Sequence, residues 1–135
     1  MTIDDADRQW LDAVRDGRPP GDFGHREHLL VAWLALRLHD GDVRAAQADV
    51  SAAIRAIAER QGVPQRYNQT VTDAWVRIVA HCRHASGAIV FDELLATFPW
   101  LLDKRLLMRH YSSRTLASDR ARVEWVEPDV QPIPA

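Results

Sequence analysis

Phe23-Gly24-His25-Arg26-Glu27-His28-Leu29 opens a stretch that runs on as Leu30-Val31-Ala32-Trp33-Leu34-Ala35-Leu36. The second half is apolar on nearly every side of a helical wheel, which predicts a helix at the centre of a small domain rather than on its surface. His25 and His28 fall in its first turn. There the exposed N–H groups and the positive end of the helix dipole disfavour an imidazolium, so both rings tend toward the neutral form. Neutral imidazole binds metals and accepts protons, which makes this turn the expected chemical site.

Working outward, Thr2 and Asp5 have the form of a capping box, and Ile3, Ala6, Trp10 and Val14 recur at helical spacing. This first helix ends near Gly17, before the breaker cluster Arg18-Pro19-Pro20-Gly21-Asp22. Asp22 or Gly24 caps the central helix, which stops at Asp40-Gly41, where glycine takes the left-handed conformation. Asp42 begins a third helix with the stripe Val43, Ala46, Val50, Ala53, Ile54 and Ile57, ended by Gly62 and Pro64. Thr70-Val71-Thr72-Asp73 reads as the start of a fourth, whose apolar face is Val71, Ala74, Trp75, Ile78, Val79 and Cys82. Shorter helices are expected from Phe91 to Phe98, stopped by Pro99, and from Lys104 to Tyr111, capped by Asp103. Ser112 and Ser118 start the last helical pieces. No segment alternates like a strand. The expected fold is all-α, a compact bundle of five or six helices over residues 1–126, with an extended tail over 127–135 that carries Pro128, Pro132 and Pro134.

Composition narrows the function. A chain of 135 residues with 47% apolar and 27% charged residues is an ordinary globular domain with a core of its own. Its net charge of −2 offers no basic field for nucleic acid. Cys82 is the single cysteine, so no intramolecular disulfide forms, and the acidic start Met1-Thr2-Ile3-Asp4-Asp5 has no apolar signal region. The apolar run Leu29 to Leu36 is too short to span a bilayer. A cytoplasmic protein without membrane or nucleic-acid partners is the expectation. A homodimer is compatible with it.

Three polar clusters can carry chemistry. His25 and His28, three residues apart, share a helix face and can chelate one metal ion, but a zinc or iron site needs a third protein ligand. Candidates for that ligand are His110, His81, Glu27 and Asp73. Tyr67-Asn68-Gln69-Thr70 precedes another helix start, and two helix starts side by side would gather N–H donors, a phenol, amides and imidazoles around an anionic or carbonyl-bearing ligand. The bland reading is that Asn68, Thr70 and Thr72 only cap the helix. Lys104, Arg109, His110 and Tyr111 form the third cluster, where Arg109 can hold a carboxylate and Tyr111 can donate a proton. On the alternative reading, Arg109 pairs with an acid such as Asp119. His81-Cys82-Arg83-His84 reads as a solvated helix end with Cys82 in the core. Trp33 and Trp75 are core residues placed to wall a ligand pocket, and Trp125 anchors the tail.

The segments Phe23 to Leu29, Tyr67-Asn68-Gln69-Thr70-Val71-Thr72, Leu106 to Ser112, Leu116-Ala117-Ser118-Asp119 and Val126-Glu127-Pro128-Asp129 resemble a family of small, largely uncharacterised bacterial helical proteins. That family carries F-x-H-x-x-H-L and Y-H-E-T-x-T segments, and the resemblance implies no particular activity. Where its pattern has histidine and glutamate, this chain has Asn68 and Gln69. Amides are poor substitutes for a nitrogen donor and a carboxylate on a transition metal.

The reading that follows is a small-molecule enzyme doing metal-free acid-base chemistry: elimination, hydration, cyclisation or isomerisation, in a setting such as bacterial secondary metabolism. His25, His28 and Tyr67 would be catalytic, while Asn68, Gln69, Thr70, Trp33, Trp75, Arg109 and Tyr111 would bind substrate. No cofactor is favoured. The alternatives are a transition-metal protein using His25, His28 and His110, and a noncatalytic interaction module.

Overall fold

The computed structural model describes residues 3–134, so the Thr2 cap lies outside the described residues. The architecture is all-α, with no strand among those residues. Four long helices, α1 (Asp5–Arg15), α2 (His25–Leu38), α3 (Val43–Arg60) and α4 (Gln69–Ser86), form the bundle. Three shorter ones follow, α5 (Phe91–Thr97), α6 (Ser113–Leu116) and α7 (Asp119–Val123). The segment expected as an α-helix from Lys104 to Tyr111 is instead a 3₁₀ turn over Lys104–Arg109, and another, Pro99–Leu102, comes before Asp103. Pro99 and the Asp103 cap sit too close together for a longer α-helix to settle across them.

Helix starts follow side-chain chemistry. Asp4, Asp42, Ser112 and Ser118 each accept a hydrogen bond from the amide three residues on. Gly24 opens α2, where its N–H donates to Glu27 at 2.8 Å. The cap of α4 is Asn68, earlier than the Thr70 pattern suggested, with its Oδ1 accepting from Val71 N at 3.0 Å. At the end of α2, Asp40 (φ 52°) joins Gly41 (φ 84°) in the left-handed region, and Gly41 N–H returns to Leu36 O at 2.7 Å.

From Val31 to Leu36 every residue of α2 is buried, as is Leu29. Helices α1, α3 and α4 and the first 3₁₀ turn pack around it. On α3 the apolar stripe is wider than expected because Ser51 and Ala58 are also buried. Arg15 of α1 forks onto Asp49 of α3, which also accepts from His39 Nε2 at 3.1 Å.

The tail is extended but firmly tied. Thr70 Oγ1 donates to Glu124 O at 2.7 Å and accepts from Val126 N at 3.1 Å, while Val130 N–H donates to His110 O at 3.0 Å. Asp129 accepts from Ser112 N and Thr115 Oγ1. Trp125, an expected anchor, meets the Tyr111 ring edge-on at 6.3 Å and lies under the Arg77 guanidinium at 4.0 Å.

Gly17 (φ 76°) is where α1 meets α3: a Cβ there would stand 2.8 Å from Ala56 O, whereas Gly62 (φ 74°) faces open space. Gly62→Ala should therefore cost only the left-handed penalty, about 1–2 kcal/mol, and Gly17→Ala clearly more. Urea unfolding of both variants measures the difference; equal losses would mean that α1 yields without cost.

Candidate functional site

The first-turn histidines of α2 are held by the protein itself. His25 Nε2 donates to Leu101 O at 2.8 Å, and its ring stands edge-on to Trp75 at 4.6 Å. A carbonyl oxygen can only accept, so the lone pair of neutral His25 lies on Nδ1. His28 packs against Phe23 at 5.0 Å. Burial, reinforced by the neighbouring His25, pushes its pKa down to about 4, so the ring is neutral near pH 7.

Tyr67, Asn68, Gln69 and Thr70 make a different set of contacts. Tyr67 OH donates to Gln69 Oε1 at 2.6 Å, and Gln69 Nε2 donates to Ser51 Oγ at 2.9 Å and to Asp73 Oδ2 at 3.0 Å. Arg55 lies over the Tyr67 ring and donates to Gln69 Oε1 at 3.2 Å. This chain of donors ends on the buried Asp73 carboxylate. Burial raises the Asp73 pKa, with the Gln69 and Ser51 hydrogen bonds opposing. Asn68 Nδ2 donates to Leu116 O at 2.8 Å, and Thr70 is spent on the tail. Among the described residues no hydrogen bond joins His25 or His28 to Tyr67 or Asn68. The two helix starts therefore do not form the expected pocket by direct contact, because each set of polar groups is satisfied by its own neighbours.

Other expected residues are core. Trp33 and Trp75 are buried, Trp33 lying 6.3 Å from the Phe91 ring. Tyr111, expected at substrate, is fully buried and donates its hydroxyl to Val126 O at 2.6 Å. That bond and full burial keep the phenol from a substrate, and burial pushes its pKa well above the ordinary value, which makes it a still weaker acid. No group of three His, Cys, Asp or Glu side chains converges as a metal site among the described residues, so His110 does not join His25 and His28. Glu27 accepts the Gly24 amide instead.

The His81-Cys82 helix end and the Arg109-His110 cluster do meet. His81 and Cys82 from α4, Arg109 and His110 after the 3₁₀ turns, and Gln131 and Pro134 of the tail line one cavity of about 280 Å³. Ile78, Phe98, Trp100 and Leu106 supply apolar wall. His110 Nδ1 lies 2.9 Å from Gln131 O and must be the donor, which leaves the lone pair of the neutral ring on Nε2. Arg109, expected on one reading to pair with Asp119, has no carboxylate within 4 Å among the described residues; Asp119 lies 3.9 Å from Arg122 instead. Burial lifts the Cys82 thiol to about 11, so it is a wall rather than a nucleophile. Sequence spacing signalled each half of this cavity, but not that the tail would join them.

No protein-family model matches the chain, and neither a curated protein nor a solved structure matches it.

The His28 shift has a sign that can be measured. Between about pH 6.5 and 4 the unfolded ring takes a proton that the folded ring refuses. Stability is therefore retained above that window and lost as pH falls through it, by up to about 3 kcal/mol for this residue. Urea unfolding of wild type and His28→Leu at pH 7 and near pH 4 should show a shallower loss in the variant. Parallel pH profiles would mean that His28 protonates freely in the fold.

Proposed function

We propose that the protein is a small-molecule enzyme performing metal-free acid-base chemistry in the cavity between the end of α4, the 3₁₀ turns and the tail. The observation that carries this reading is the orientation of His110: a buried imidazole whose Nδ1–H is spent on the Gln131 carbonyl. Such a bond fixes the ring and its tautomer, so that Nε2 is the basic atom.

Arg109, with no acid paired to it among the described residues, supplies an anchor for a substrate carboxylate. The aromatic wall of Phe98 and Trp100, their rings 5.6 Å apart, suits an apolar substrate body. His110 would take a proton from a carbon made acidic by a neighbouring carbonyl, and return it in an isomerisation or pass it to a leaving group in an elimination. The cavity holds at most a small organic acid. A buried thiol with no disulfide partner is consistent with a cytoplasmic setting, and no helix among the described residues is long and apolar enough to cross a membrane. The resemblance to small bacterial helical proteins is compatible with this reading and adds no substrate to it.

The test is solvent deuterium exchange at the carbon beside the carbonyl of aryl and alkyl keto acids, followed by NMR in D₂O. Wild type should accelerate exchange of at least one acid. His110→Gln, which keeps a donor for Gln131, should slow it roughly 10²- to 10⁴-fold, and Arg109→Gln should mainly raise KM. Exchange unchanged in a folded His110→Gln variant would remove His110 from the chemistry.

A further inference from the structure

A larger groove, about 630 Å³, lies on another face of α4 and is not used by the chemistry above. Arg77, Ala80, His81 and His84 fall at i, i+3, i+4 and i+7, so one face of α4 forms its floor. Arg83 flanks that face. Leu36, the Asp40-Gly41 turn and Val43 make the opposite wall, and Ile133 and Pro134 of the tail close one side.

Positive charge predominates among the described lining residues of the groove. Among the described residues neither Arg77 nor Arg83 has a carboxylate within 4 Å, and the buried Nε of Arg77 has no hydrogen-bond partner there. Arg77 is held over the Trp125 ring, and Arg83 Nη1 lies so close over Gly41 that a Cβ there would stand 3.1 Å from it. Both guanidinium groups are thus positioned by packing rather than by ion pairs. His84 adds a donor, and Asp40 is the one carboxylate among the described lining residues. Two guanidinium groups lining one groove repel each other, and an anion between them relieves that repulsion while accepting charge-assisted hydrogen bonds. The apolar part of the lining, Leu36, Val43, Ala80 and Ile133, has no use for an inorganic ion but suits a hydrocarbon body.

We infer that this groove is a binding site for an amphipathic organic anion, an acyl or aryl body carrying a carboxylate or phosphate head. The head sits at Arg77 and Arg83 and the body lies along Val43, Ala80 and Ile133. This site is separate from the His110 cavity, although His81 and Pro134 touch both.

Isothermal titration with octanoate, octyl phosphate, octanol and inorganic phosphate separates head from body. One or both octyl anions should bind with one-to-one stoichiometry, and octanol and phosphate at least about tenfold more weakly. Octanoate against octyl phosphate then tells which head the groove prefers. Arg83→Gln should weaken the anions about tenfold or more, with octanol unchanged and Arg83→Lys intermediate. Arg109→Gln, which alters only the other cavity, should leave these affinities intact, so failure of the catalytic reading does not touch this one. A second variant, Ala80→Leu, should weaken every probe by filling the floor. The inference is overturned if no octyl anion binds at millimolar concentration, if octanol binds as tightly as the anions, or if Arg83→Gln changes nothing in a protein that unfolds like wild type.

Discussion

From Val31 to Leu36, α2 has no side to give to water, and that constraint organises the rest of the chain. A helix buried all round must be covered all round, and α1, α3, α4 and the Pro99–Leu102 turn do so. Each large side chain removed from water there contributes about 1.5–3 kcal/mol before the cost of ordering the chain. The covering elements are also tied in by polar side chains. Asp49 receives Arg15 and His39, Arg37 donates to Ile89 O, and His25 reaches Leu101 O. On this view the α2 histidines act as clasps that hold the shell on the core.

Helix α4 has two different halves. Its first turns carry Gln69, Thr70 and Asp73 into a buried polar network with Ser51 and Tyr67, which joins α3 to α4 and secures the tail at Glu124 and Val126. Its last turns carry Ile78, His81, Cys82 and Arg83 toward the two cavities. The tail connects these halves. Anchored at Thr70, pinned by Asp129 and hooked at His110, it brings Gln131 to the imidazole and Pro134 to the divide between the cavities.

Much of this was legible in residue spacing. The caps at Asp42, Asp103, Ser112 and Ser118, the buried run of α2 and the amphipathic face of α4 all depend on residues near one another in the chain, and local chemistry decides them. What could not be read were pairings across the sequence. Ser51 stands three and seven residues before Ile54 and Ala58, a periodicity that marks it as facing inward, but nothing local shows that Asp73 would meet it. Tyr111 looked like a functional phenol and is a buried strut, because its partner, Val126 O, lies 15 residues on, where no local pattern marks it. The first-turn histidines carried a real signal, the neutrality of His28, but its largest cause is burial. For the candidate site, Arg109 and His110 were visible as a cluster, and their joining with His81 depends on how the tail folds back.

A histidine serves as a base at a pocket wall only if its lone pair is on the atom that meets the ligand, and here that depends on the single bond from His110 Nδ1 to Gln131 O. Long-range ¹H–¹⁵N correlation NMR reads the tautomer of that ring directly. The expected result is that the neutral tautomer of His110 carries its proton on Nδ1, with the Nε2 signal shifting when a carboxylate ligand is added. A proton found on Nε2 would contradict it, because the ring would then present a donor where the chemistry needs a base.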